Sequence, residues 1–177
     1  MLLLLACSGS PPWASVTVAR DAPVDPGKRL KAYFLETSAT RSGEGDAILL
    51  LVQDEVGCAA IEDASSVDFD ASHPLFSWEG LAFFLSFDTG DAATELGWED
   101  LYWGDESTSI VGERTMSAWL MTGDSLLALD GGWLELSEHS NELVAGSFDV
   151  RWYAGEFSAE HCGVSYTGDD GLDTGGA

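Results

Sequence analysis

Apolar and polar residues alternate with period two along most of this chain, and long stripes of period 3.6 are missing. Alternation of this kind gives each segment one face for a core and one for water, as a pleated strand requires. Ala14 to Ala19 alternates and ends at Arg20, and Asp21 to Gly27 breaks the pattern with two prolines and a glycine. Ala32 to Ser38 reads as the next strand, with a helix of two turns over Lys28 to Glu36 as the alternative. Ser42 to Asp46 reads as a turn. Ile48 to Val52 is a continuous apolar run, which fits a strand buried on both faces. Val56 to Ser66 is open between forms, with good helix formers over Cys58 to Ala64. Ala82 to Phe87 places Phe83, Leu85 and Phe87 on one face, and Trp98 to Trp103 is a second aromatic strand.

The second half is more regular. Thr115 to Met121, Leu126 to Leu129, Trp133 to Ser137, Leu143 to Trp152 and Glu156 to His161 read as successive strands. Thr122 to Asp124, Asp130 to Gly132, Glu138 to Asn141 and Tyr153 to Gly155 join them, and Asp-Gly between apolar runs is a strong hairpin signal. The expected fold is all-β: an antiparallel meander of about nine or ten short strands forming a sandwich or flattened barrel. A single β-domain is expected over residues 14–166, followed by a disordered Gly/Asp tail over 167–177.

Charge narrows the partners. The formal net charge is -24, from 31 acidic residues against 7 Lys and Arg. A nucleic-acid binder needs a basic face to neutralise phosphates, so that class is excluded. Docking to anionic lipid by charge is disfavoured for the same reason. No stretch of 18 apolar residues offers a membrane-spanning helix. Between Ser42 and Glu113 there are 17 Asp and Glu and no Lys or Arg. The pairs Asp68 and Asp70, Asp88 and Asp91, Glu99 and Asp100, and Asp105 and Glu106 offer oxygen ligands suited to Ca²⁺. None fits the EF-hand pattern, and the expectation is a solvated acidic surface with no cofactor, Ca²⁺ being the weak alternative.

Leu4-Leu5-Ala6-Cys7 resembles the bacterial lipobox, in which a small residue precedes the cysteine that becomes the lipidated N-terminus. The resemblance implies cleavage before Cys7, with residues 1–6 as residual signal peptide and Cys7 as the lipid anchor. Leu2 to Ala6 gives five apolar residues with no basic residue before them, whereas a signal's apolar region runs to about 7–15. The expectation is a true start upstream, with Met1 internal to the apolar region. Residues 7–13 are read as the anchor and its linker, with Ser8, Gly9, Ser10, Pro11 and Pro12 tethering without folding. Ser8 after the cysteine resembles lipoproteins forwarded to the outer membrane, where the resemblance places this chain, periplasmic or surface-facing.

The chain has three cysteines. If Cys7 is acylated, Cys58 and Cys162 remain, an even pair for an oxidising compartment, and a disulfide between them is expected. Two separate buried thiols are the alternative. Zinc is not expected, because no C-x-x-C or C-x-x-H spacing occurs.

Gly146-Ser147-Phe148, followed by Gly155-Glu156-Phe157-Ser158-Ala159-Glu160-His161-Cys162, resembles the closing hairpin of secreted bacterial lipoproteins of myxobacterial type. That resemblance carries no activity and transfers no functional residue. On this hairpin Gly155 suits a turn, Phe157 and Ala159 share the inner face, and Cys162 falls on the opposite parity, so a bulge or strand end is expected before it. Gly123-Asp124-Ser125-Leu126 spells the motif of GDSL-type ester hydrolases, and Asp70 to His73 spells that family's D-x-x-H. The order along the chain is reversed and no α/β pattern surrounds them, so Gly123-Asp124 is read as a hairpin turn.

His73, His139 and His161 lack metal-ligand spacing and are read as exposed or locally bonded, and no metal ligand is assigned. No two acids stand out as a glycosidase pair. Trp119 and Trp133 sit inside alternating strands and are assigned to the core. Trp98, Tyr102 and Trp103 lie on a strand with aromatics on both faces, so they are candidates for binding a glycan. The expected function is that of a monomeric cell-envelope lipoprotein. Its β-domain is noncatalytic, binding or structural, with a membrane contact through the lipid and a glycan or envelope protein as partner. An envelope enzyme acting on polysaccharide or ester, or a carbohydrate-binding module, is the alternative.

Overall fold

The computed structural model describes residues 12–36, 44–65, 74–88, 102–104 and 113–164. In chain order it has β1 (Trp13–Val18), β2 (Arg29–Glu36), β3 (Glu44–Val52), helix α1 (Cys58–Ser65) and a 3-10 turn (Pro74–Ser77). Then come β4 (Glu79–Asp88), β5 (Tyr102–Gly104), β6 (Glu113–Thr122), β7 (Leu126–Leu129), β8 (Trp133–His139), β9 (Leu143–Val150) and β10 (Tyr153–Val164). The expected all-β class is what forms. All ten strands join one sheet in the order β5-β8-β9-β10-β1-β2-β3-β4-β6-β7.

The order departs from a simple meander on both sides of β5, which stands at the edge far from β4 and β6, and again between β7 and β8. β7 pairs with β6, and β8 pairs with β9 and β5, so Asp130 to Gly132 is not the hairpin its Asp-Gly suggested. β7 is one edge of the sheet and β8 stands next to the other. On a flat sheet, eight strand spacings of about 4.8 Å would separate them by about 38 Å. The chain from Leu129 to Trp133 reaches at most about 14 Å. The sheet therefore has to curl until its ends meet. Gly131 and Gly132 take φ of 73° and 116° at this link, and Asp130 there accepts from Arg151 Nη1 at 3.3 Å.

Packing follows the curl. Phe83 on β4 and Phe148 on β9 stand five strands apart, yet their ring centroids are 5.2 Å apart. One cluster fills the interior and draws on nearly the whole sheet, from Leu134 and Leu136 on β8 to Leu120 on β6 and Leu129 on β7. Tyr153 is buried within it, and its hydroxyl donates to the Val24 carbonyl at 2.8 Å, holding the loop between β1 and β2.

A second cluster covers the outer face of the central strands. Leu30, Ala32 and Phe34 of β2 point inward, while Tyr33 and Leu35 point outward with Ile48, Leu50 and Val52 of β3. Helix α1 lies over them through Ile61 and Ala64. β2 and β3 are thus buried on both faces, as the apolar run Ile48 to Val52 indicated. Burial on both faces also selects strand over helix for Lys28 to Glu36. Trp119 and Trp133 are corrected: they are half-buried, on the parity opposite to the inward Leu120 and Leu134, and neither is a core residue.

The two G-x-F segments explain each other. β9 and β10 pair so that Phe148 faces Gly155 and Gly146 faces Phe157. Each phenylalanine lies over the neighbouring strand's glycine. A Cβ on Gly155 would sit 3.2 Å from the Phe148 ring and run into the Ser15 carbonyl. A Cβ on Gly146 would come within 2.8 Å of the Phe157 ring. Gly155 therefore serves close packing within β10, not the turn. The turn is at Arg151 and Trp152, between the paired Val150 and Tyr153, with Arg151 at φ 49°.

Cys58 and Cys162 form a disulfide across 104 residues, joining the start of α1 to β10. The bulge expected before Cys162 is not needed. Phe157, Ala159 and His161 follow the inward parity, and Cys162 takes the outward parity where α1 lies. The irregularity in β10 comes after His161, between it and Val164.

Two stability outcomes are expected. Cys58→Ser or Cys162→Ser alone should expose one reactive thiol and cost about 4–5 kcal/mol by urea denaturation, the value for closing a loop of this length. Two reactive thiols in the wild-type protein would contradict the bridge. Gly155→Ala should cost about 1–3 kcal/mol by overpacking, and an unchanged urea midpoint would show that the ring does not rest on the glycine.

Candidate functional site

Glu36 ends β2 on the parity of Leu30, Ala32 and Phe34, so the strand carries its carboxylate toward the interior. It is 6% exposed and is the charged residue buried among the described ones. A carboxylate in such a place needs partners. Two strands supply imidazoles. His161 follows Phe157 and Ala159 on the inward face of β10 and pairs in register with Phe34. His139 ends β8, and its route inward is less direct. It is odd-numbered, whereas the inward residues Leu134 and Leu136 are even. The register shift between Leu136 and Glu138 reverses the parity and sets His139 opposite the inward-facing Val144. Re-aiming a side chain is what a bulge does.

The three side chains meet at one oxygen. His139 Nε2 donates to Glu36 Oε1 at 3.0 Å, since an ionised carboxylate can only accept. His161 Nε2 lies 3.2 Å from the same Oε1. His161 Nδ1 donates to the Ser140 carbonyl at 2.7 Å. Phe34 stands edge-on to both imidazoles, with centroids 5.9 Å away in each case. The side chains of Glu36, His161 and His139 are 8%, 5% and 15% exposed, so what opening there is lies on the His139 side.

Burial pushes the Glu36 carboxyl up, but hydrogen bonding and charge from His139 and His161 outweigh it and bring the pKa to about 2. The Glu36 contact raises the His161 pKa, burial opposes the rise, and the Ser140 carbonyl supports it. His161 Nε2 stands 3.2 Å from the carboxylate oxygen without the full alignment of a hydrogen bond, and it is buried with no other partner. With Nδ1 protonated toward Ser140, a neutral His161 turns the Nε2 lone pair at a carboxylate oxygen. Two acceptors then face each other, and only a proton or a cation between them makes the contact favourable. The ligand atoms of Glu36, His139 and His161 all lie within 4.8 Å of one another, so they could hold a metal ion.

Spacing along the chain gives no sign of this trio: His139 and His161, expected to be exposed or locally bonded, instead meet Glu36 from distant strands. Cys58 and Cys162 meet as expected. Tyr102 and Trp103 lie on β5 in register with Glu135 and Leu134. Cys7, Trp98 and His73 lie outside the described residues, as do Asp68, Asp70, Asp91, Glu99, Asp100, Asp105 and Glu106. Ser125 is in the β6–β7 hairpin, where its Oγ bonds to Thr122 Oγ1 at 2.8 Å, while the described histidines are engaged around Glu36. A shallow cleft of about 220 Å³ between Pro12, Trp13, Arg29, Leu30, Lys31 and Gln53 falls below the ~300–1,000 Å³ usual for small-molecule sites.

Two of the three residues did leave a trace. Glu36 continues an inward apolar parity, and so does His161. A charged or ionisable side chain at the end of such a series asks for a buried partner. His139 leaves none, because the bulge inverts its parity. No protein family, no curated protein and no solved structure matches this chain.

The trio sets a pH dependence in metal-free protein. Glu36 has a lowered pKa, so its contribution is present above the usual 4.5 and is lost as pH falls toward 2. His161 has a raised pKa, so its contribution is full below the usual 6.5 and is lost as pH rises through the folded value above it. Glu36→Gln should therefore cost the most between pH 4.5 and 6.5, on the order of 3 kcal/mol, and less on either side. Urea denaturation of both proteins from acid to mildly alkaline pH checks it. Subtraction removes the titration of the other acids, and a difference flat in pH would contradict the coupling.

Proposed function

We propose that this protein is a cell-envelope lipoprotein, acylated on Cys7, whose β-domain is a noncatalytic binding or structural module outside the cytoplasm. The observation that carries the compartment is the Cys58–Cys162 disulfide. Disulfides persist in oxidising compartments, and a lipobox ahead of a disulfide-bonded domain belongs in one. Linker length fits: β1 begins at Trp13, so the Ser8 to Pro12 tether brings the domain close to the membrane surface. One acylated cysteine anchors by burying its chains, at about 0.8 kcal/mol per CH₂.

The noncatalytic reading draws on how the interior is used. Side chains of nine strands fill it, as in small barrels whose lumen is core rather than pocket. The serine of the hydrolase-like motif serves a hairpin. A module of this kind presents an outer surface, and the acidity of that surface keeps it soluble.

Expression behind a complete lipoprotein signal sequence with radiolabelled fatty acid should label the wild-type protein in the membrane fraction, while Cys7→Ala should be unlabelled and released. An unlabelled wild-type protein would defeat the anchor.

A further inference from the structure

We propose that Glu36, His139 and His161 form a binding site for a divalent transition metal of the Zn²⁺ class, with Glu36 Oε1 and the Nε2 atoms of both histidines as ligands. The inference is independent of acylation at Cys7 and stands or falls by its own measurement.

Three observations carry it. The first is donor type: two imidazole nitrogens and one carboxylate oxygen are a Zn²⁺ set, and a site with three protein ligands leaves a fourth position open. Ca²⁺ is not served by it, since that ion takes six to eight oxygens. The second is spacing. Glu36 Oε1 lies 3.0 Å from His139 Nε2 and 3.2 Å from His161 Nε2. Two ligands about 2.0–2.1 Å from a tetrahedral ion stand about 3.3 Å apart. The third separation, between the two imidazole nitrogens, is within 4.8 Å. The three ligand atoms already converge on one point.

The third observation is the state of His161. Its Nε2 is buried and without a hydrogen-bond partner, and an orphaned polar atom of this kind calls for an explanation. Its Nδ1 is held by the Ser140 carbonyl at 2.7 Å. A metal-bound histidine commonly donates its other ring N–H to a backbone carbonyl, which fixes the tautomer and aims the lone pair at the ion. Here that arrangement is already built. On binding, His139 takes the tautomer protonated at Nδ1, or an imidazolium of the pair releases its Nε2 proton to solvent. No redox step is involved.

The acidic surface will attract any divalent ion weakly, so the test has to separate the trio from the field. The full folded protein is stripped with a chelator and titrated with Zn²⁺ at neutral pH against a chromophoric competitor. One tight equivalent per chain is expected, with a rise in melting temperature, and the same concentration of Ca²⁺ should not reproduce either. His139→Gln and His161→Gln should each weaken that equivalent by more than about tenfold, whereas Glu135→Gln on the exposed face should leave it unchanged. Co²⁺ in place of Zn²⁺ should give visible d–d absorption that both histidine variants lose. If those variants fail to fold, the imidazole NMR signals of the wild-type protein decide: Zn²⁺ should shift the His139 and His161 signals and leave His73 alone. Weak binding of several equivalents, binding unchanged in the folded variants, or imidazole signals indifferent to Zn²⁺ would each overturn the site and leave the trio as a buried ion pair.

Discussion

Three residues between β7 and β8 decide the shape of this molecule. The strands they connect stand at opposite ends of a ten-strand sheet, and a link that short cannot cross a flat one. Curling brings the ends together, and everything inside follows. Phe83 meets Phe148, β8 and β6 share one core, and the outer face of β2 to β4 becomes a convex surface for α1 to cover. The hydrophobic effect drives this closure and has no direction of its own. Chain connectivity gives it one.

A second constraint places the chemistry. β10 has 12 residues and its neighbour β1 has 6. β1 begins at Trp13, opposite Ser158, so the remainder of β10 runs past it. There β10 closes on β2 directly, in parallel, with Glu160 opposite Tyr33 and His161 opposite Phe34. The same extension presents His161 to Glu36 on the inside and Cys162 to Cys58 on the outside. The trio and the disulfide are two faces of one strand end. The disulfide fixes β10 to the helix at that level, and so holds His161 where Glu36 can reach it.

Local pattern made the strands legible. The second-half strands fall within a few residues of their expected places, and the pairing of Phe148 with Gly155 shows why two G-x-F segments recur on one hairpin. What local pattern could not show was pairing between distant elements. Asp130-Gly131-Gly132 has hairpin chemistry, and positive φ at both glycines, yet it spans the seam of the curled sheet. Turn residues specify the backbone of a link and say nothing of which strands lie on either side. The site was hidden for the same reason. Glu36 bonds to a histidine 103 residues away, and no spacing rule for metal ligands operates at that separation.

The buried trio also bears on stability against function. Replacing a buried charged cluster by apolar residues of similar volume is often neutral or stabilising, because desolvation takes back much of the Coulombic gain. Phe34 and Ala159 show that this end of the interior accepts apolar side chains. A carboxylate and two imidazoles are therefore more than the fold needs there. One imidazole nitrogen is left without a bond, and the register shift that turns His139 inward interrupts an otherwise regular ladder. Departures from local regularity concentrate at functional sites. The convergence of a bulge, an orphaned nitrogen and a buried carboxylate on one point is what separates this end of the curled sheet from the rest of its well-packed core.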